Sequence, residues 1–296
     1  MKWLLILGGF GAGALGGFAL AVVEFGAWFL ISPRRLDEGE AEESPLVASA
    51  KPIRARAPDG VELAGLWLRA PRPSGRTMIL VHGFMDGPAT MIADRGEALL
   101  DRGWNVAAIA LRGHGPSGGL VSSFGGLEAT DLRAWVDSLA GLLPPGEPLV
   151  PVVWGRSMGA AIALRAAAID PRIQALVLEA PLVDLEAVVA SRLRKRWIAP
   201  ARLFARLILN RAGRLARVSL RRPRPLELAS RITIPVVVVH GQADALVPSS
   251  SARTLADAFP RPASFIEVPG AGHADVADLG GETMLQCVLD GIDACF

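Results

Sequence analysis

Cysteine is nearly absent from this 296-residue sequence, which holds only Cys287 and Cys295. Two are too few for a disulfide framework, and neither sits in a C-x-x-C pair or a Cys/His cluster. If both lie in one last helix, a separation of eight positions puts them about 12 Å apart, too far for a disulfide. Histidine is also scarce, at four, so a multi-histidine metal site has little to draw on. Charged residues make up 20%, below the roughly 25% of an average soluble domain. Mean hydropathy is positive, at +0.37. Disorder over most of the length is therefore excluded. Long apolar runs are missing except for one, which excludes a polytopic transporter. Lysine is almost missing too: three, against 28 arginines, a skew that coding bias explains more readily than function. A net charge of +2 gives no general reason to expect a nucleic-acid partner.

The one long apolar run is at the amino end. Trp3 to Val23 carry no charge, and at about 1.5 Å per residue they reach roughly 30 Å, the thickness of a bilayer core. The apolar character continues past Glu24 to Ile31 and stops at Ser32-Pro33-Arg34-Arg35. A cleaved signal peptide has a shorter apolar core. Ala19-Leu20-Ala21 resembles a cleavage site, yet the chain stays apolar beyond it. Residues 1–31 are therefore expected to be a single-pass membrane anchor, and 32–51 a linker. Basic residues on the two sides of the span balance, so its orientation is not readable. Gly9, Gly13 and Gly17 share one helix face, a small-residue pattern that allows a homodimer through the anchor.

From residue 52 to 296 the pattern changes. Ile53–Ala57 and Val61–Leu68 alternate around Asp59-Gly60, a hairpin signal. Continuous apolar runs follow at Met78–Val81, Val106–Leu111, Val150–Trp154, Ala175–Leu178, Ile234–Val239 and Ser264–Val268. Helical stretches are expected near 89–102, 127–143, 158–169, 249–259 and 276–294. Strands without polar alternation are buried on both faces, which means a mostly parallel sheet covered by helices. The rhythm breaks at about 186–230. Twelve basic residues lie between Arg192 and Arg224, with no acid between Glu186 and Glu227. This stretch reads as a cap inserted over the sheet's carboxyl edge. Within it Arg202, Arg206, Asn210, Arg214 and Arg217 recur at helical spacing, and Leu203, Phe204, Leu207 and Ile208 occupy another face. The cationic side fits anionic lipid, an anionic substrate group or plain solvation.

Gly155-Arg156-Ser157-Met158-Gly159 is G-x-S-x-G between an apolar run and a strong helix former, the setting of a nucleophile elbow. A serine hydroxyl needs an adjacent base. His273, in Gly270-Ala271-Gly272-His273-Ala274-Asp275, follows the last apolar run and is the candidate. An acid must orient it, and Asp244 follows the penultimate run; Asp184 is the rival. Two backbone N–H groups must face the developing oxyanion. Met158 and Phe84, in His82-Gly83-Phe84, are the candidates. His82 is read as a brace for that loop, His240 as a packed core histidine, and Arg112-Gly113-His114-Gly115-Pro116-Ser117 as a strand-to-helix turn.

These motifs, in this order over residues 52–296, resemble the α/β-hydrolase superfamily. Within it they look like the esterase/lipase and serine-aminopeptidase-like (S33-type) group. The resemblance implies an eight-stranded, mostly parallel sheet with helices on both faces and a variable cap. It also implies hydrolysis without a metal or organic cofactor. The expected activity is a serine hydrolase cleaving an ester or thioester acyl bond of a small-molecule or lipid-like substrate. A peptidase or amidase using the same three side chains and a non-catalytic membrane-tethered binding module are the alternatives. The basic cap has few interleaved aromatics, which argues against nucleic acid.

Overall fold

The computed structural model describes residues 2–33, 39–72 and 75–295, with side chains from residue 16 onward except that of Glu40. Two strands open the sheet, β1 (Lys51–Arg56) and β2 (Glu62–Leu68). They pair antiparallel with Arg56 opposite Glu62, so Asp59 and Gly60 lie in the turn as expected. Next come β3 (Arg76–Val81), α3 (Pro88–Asp101), β4 (Asn105–Ile109), α4 (Glu128–Ala140), β5 (Val150–Arg156), α5 (Met158–Ala167) and β6 (Ala175–Glu179). The cap helices follow: α6 (Leu185–Lys195), α7 (Ala201–Ala216) and α8 (Pro225–Ala229). The chain then returns through β7 (Val236–Gly241), α9 (Ser249–Asp257), β8 (Ser264–Val268) and α10 (Val276–Asp293).

The eight strands lie in the order β1-β2-β4-β3-β5-β6-β7-β8. β2 is antiparallel to β4, and every pairing from β4 to β8 is parallel. The order reverses at β3 and β5, so the carboxyl ends of these two strands open a crevice. Each central strand feeds two cores, because successive side chains point to opposite faces. Ile79, Val81, Ala107, Ile109, Val153, Leu176 and Leu178 pack under α4, α5 and the cap. Met78, Leu80, Val106, Ala108, Val152, Trp154 and Val177 pack under α3 and α10. Both faces are covered, which is why these strands read as unbroken apolar runs.

The amino end makes contacts that the sequence did not announce. Residues Lys2–Ile31 form a helix, α1, and its last turns pack on the hydrolase core. Ala27 and Ile31 are fully buried there. The Gly26 backbone lies against the Ile208 side chain, and the Glu24 carboxylate accepts from Arg211 at 2.7 Å. The Ser122 N–H donates to the Ile31 carbonyl at 2.7 Å. Among the described residues, no helix is long and apolar enough to cross a membrane. Much of the expected span, and the glycines Gly9 and Gly13, fall on residues 2–15, whose side chains lie outside those described. The expected linker 32–51 also carries structure. A 3₁₀ turn spans Gly39–Ala41, and a helix, α2 (Pro45–Ser49), seats Leu46 against Gly96 in α3.

The amphipathic reading of α7 is rotated in the structure. Its buried face is Ala201, Ala205, Ile208, Leu209, Ala212, Gly213 and Ala216, whereas Leu203 and Leu207 are exposed. Small side chains on the inner face let α1 and α6 approach closely.

Candidate active site

β5 ends in a turn that only glycine neighbours permit. A Cβ at Gly155 would collide with the Gly159 carbonyl, and one at Gly159 with the Val81 carbonyl. Between them Ser157 adopts φ 55° and ψ −110°, a conformation that non-glycine residues rarely visit. Its N–H donates to the Glu179 carbonyl at the end of β6, at 2.8 Å. The side chain stands half-buried at the start of α5.

The structure brings Ser157, His273 and Asp244 together from three separate loops. Ser157 Oγ lies 2.7 Å from His273 Nε2. His273 Nδ1 lies 2.7 Å from Asp244 Oδ2. The other carboxylate oxygen, Oδ1, accepts from the amides of Leu246 and Val247 at 2.7 and 2.9 Å. Burial alone would raise the Asp244 pKa, but the His273 bond and these amides outweigh it and hold it below the ordinary carboxylate value. Asp244 is thus an anion at neutral pH, and the proton on His273 belongs on Nδ1. Nε2 is then free to accept from the serine hydroxyl. Asp184 lies elsewhere: its Oδ1 accepts from the Ala187 N–H at 3.0 Å and caps α6.

The loop after β3 crosses in front of the serine, with Gly83 beside the Ser157 Cβ. Among the described residues neither the Phe84 N–H nor the Met158 N–H donates to a protein acceptor. Met158 is the first residue of α5, whose opening N–H groups have no partner within the helix. The Phe84 ring stacks on Phe124 at 5.7 Å.

His82 is a brace, and the structure shows how. Its Nε2 accepts from the Leu111 N–H at 3.0 Å, so Nδ1 carries the proton and donates to the Gly83 carbonyl at 2.7 Å. Burial first, and His114 beside it, push its pKa from 6.5 to about 3. Arg112 closes its turn by pairing with Asp131 at 2.6 Å and Asp59 at 2.8 Å. His240 is buried as expected, donating from Nε2 to the Val247 carbonyl at 2.8 Å. It also lies 3.3 Å from Asp244 Oδ2, a contact the sequence did not announce.

Three further supports were not legible in the sequence. Asp86 accepts from the Gly83 and Gly87 amides and pairs with Arg156 at 2.5 Å. Arg156 reaches on to Asp94 at 2.7 Å. This ties the loop after β3 to the residue preceding the serine. Asp275 accepts from the Gly272 N–H at 2.6 Å and shapes the turn that carries His273. Among the described residues, no group of histidine, cysteine and acidic side chains could hold a metal.

Residues 72–226 match the family model described as serine aminopeptidase, S33, and 215–290 a model described as TAP-like protein. The chain belongs to the serine aminopeptidase S33 family. It is a hydrolase on an α/β-hydrolase fold. An uncharacterized protein of Mycobacterium tuberculosis is 30% identical over 247 residues, covering 83% of this chain and 80% of that one. A polyketide transferase of Stachybotrys chlorohalonatus is 26% identical over 290 residues, covering 82% and 97%. Among solved structures, an esterase of Pyrococcus furiosus superposes with a TM-score of 0.70 at 22% identity, covering 90% of this chain and 98% of that one. An esterase of Thermogutta terrifontis gives 0.61 at 23%, covering 83% and 99%.

Proposed function

We propose that this S33 hydrolase cleaves an ester or thioester acyl bond through Ser157, His273 and Asp244. The observation that carries the reading is the unbroken chain from serine oxygen to imidazole to carboxylate, each link 2.7 Å. Ser157 Oγ attacks the acyl carbonyl while His273 Nε2 takes its proton. The Phe84 and Met158 N–H groups, free of protein acceptors, donate to the tetrahedral oxyanion. His273 then protonates the leaving alcohol or thiol, and Ser157 is left acylated. A water gives its proton to His273, attacks the acyl group, and the acid departs as the serine recovers its proton. Asp244 holds the imidazole in the required tautomer and stabilises the imidazolium. Turnover of p-nitrophenyl esters by Ser157→Ala should fall about 10⁴-fold or more, because the three groups act as a unit. That is ~5 kcal/mol of transition-state stabilisation. Undiminished hydrolysis by the variant would move the chemistry elsewhere.

The edge formed by α1 and α7 supports a second, locational reading, in which the enzyme sits against a lipid surface. Phe18, Leu20, Phe25, Trp28 and Phe29 of α1 are exposed, as are Leu203 and Leu207 of α7 and Trp197 before it. Exposed apolar groups on two helices that pack together mark an interaction surface. Arg194, Lys195, Arg196, Arg202 and Arg206 belong to the same cap segment and suit anionic headgroups. The uncharged run that precedes residue 16 extends the same apolar character.

A further inference from the structure

A hollow in the cap lies between α5, α7 and the loop that follows α7, with a volume of about 760 Å³. That is the size of a small-molecule pocket. Two of its walls come near the nucleophile. Ala161, on its wall, is one helical turn beyond Ser157, about 6 Å along the axis. Phe124, on another wall, stacks on Phe84 at the oxyanion loop.

The charge of this hollow is lopsided. Six arginines line it (Arg165, Arg214, Arg217, Arg221, Arg222 and Arg224), against two carboxylates, Asp184 and Glu186. Both acids are engaged: Asp184 caps α6, and Glu186 pairs with Arg206 at 2.8 Å and Arg221 at 3.1 Å. Arg222 pairs with Glu227. Arg165, Arg214 and Arg217 have no carboxylate partner among the described residues.

Arg165 is the informative member. It is half-buried, its stem folded over Gly125, and among the described residues its guanidinium donates only to the carbonyls of Arg222 and Pro223, at 3.5 and 3.0 Å. Burial pushes its pKa down, opposed by the charge of Glu128. A guanidinium stays charged in a protein, so partial burial without an anion is unfavourable. An anion in the hollow would offset that cost and could take two N–H groups from one guanidinium.

We propose that this hollow is the substrate subsite for a carboxylate or phosphate group carried away from the scissile carbonyl, so that the enzyme prefers anionic esters. Arg165 forms the floor, and Arg214 and Arg217 the rim. The inference rests on hydrolysis at Ser157 for its catalytic consequence, but the pocket itself is tested by binding.

Suberate and octyl phosphate are titrated calorimetrically into full-length Ser157→Ala protein. The expected result is one saturable, salt-sensitive site for at least one of them. Adding Arg214→Gln and Arg217→Gln together should weaken it tenfold or more, while Arg231→Gln, outside the hollow, should leave it unchanged. Absence of binding by both anions, or equal weakening by Arg231→Gln, overturns the pocket whether or not esters are cleaved. With Ser157 present, the p-nitrophenyl monoester of suberic acid should exceed p-nitrophenyl octanoate in kcat/KM by tenfold or more. A matched pair with the charge on the alcohol, 4-(carboxymethyl)phenyl octanoate against 4-ethylphenyl octanoate, shows which side of the bond the anion occupies. The preference should reside in KM and vanish in the Arg214→Gln, Arg217→Gln enzyme, with turnover of the neutral esters retained. Equal kcat/KM within both pairs overturns the substrate preference. Loss of the neutral activity in Ser157→Ala alone belongs to the catalytic assignment and is read separately.

Discussion

Ser157 holds a backbone conformation that costs on the order of 1–3 kcal/mol and persists because β5, β6 and α5 over-determine it. The residues around it are set by burial as much as by contact. His82 is fully buried and neutral, with its pKa pushed from 6.5 to about 3. His114 and His240 are shifted down as well, by burial above all. The sign follows directly. Below pH 6.5 the unfolded chain protonates these rings while the folded chain does not, so unfolding takes up protons and acid weakens the fold. For His82 that window runs from 6.5 to about 3. Each such ring contributes on the order of 1.4 kcal/mol per pH unit within its window. Urea midpoints should therefore fall steadily from pH 7 to pH 5; a flat profile would contradict the buried neutral histidines. Ser157, Asp244 and His273 were legible because glycine-bounded turns at fixed chain order mark them. Asp86 and Arg156 were not, since their bond joins positions seventy apart in the chain and no local pattern records it.

At the scale of elements, unbroken apolar runs disclosed β3 to β8, because helices cover both sheet faces. The cap was legible as an interruption of that rhythm, but its packing was not. Leu203, Phe204 and Leu207 look like a core stripe, yet the buried stripe of α7 is mostly alanine and glycine. Hydropathy cannot show that a face is small because a neighbouring helix comes close. Ala205, fully buried, should therefore tolerate no enlargement: Ala205→Leu should cost about 1–3 kcal/mol by overpacking. Leu203→Ala, on the outer face, should change stability by less than about 0.5 kcal/mol. Urea unfolding of the two variants checks the orientation, and the reverse ranking would refute it.

Over the whole molecule, the last turns of α1 pack into the enzyme core, with Ala27 and Ile31 buried. What remains outward is an apolar edge, including Phe25 at 75% and Trp197 at 95% exposure. Flotation of the full chain with vesicles of phosphatidylcholine and phosphatidylglycerol should recover it with the lipid. Phe25→Ser combined with Trp28→Ser and Trp197→Ser should reduce that recovery several-fold. Unchanged recovery, or self-association of the wild type without vesicle binding, would assign the edge another occupant.

The catalytic assignment is tested most directly by intact-mass labelling with a fluorophosphonate. Wild type should gain one adduct and Ser157→Ala none. His273→Ala should label far more slowly, because the serine loses its base. An adduct on Ser157→Ala, or none on the wild type, would contradict an activated nucleophile at Ser157.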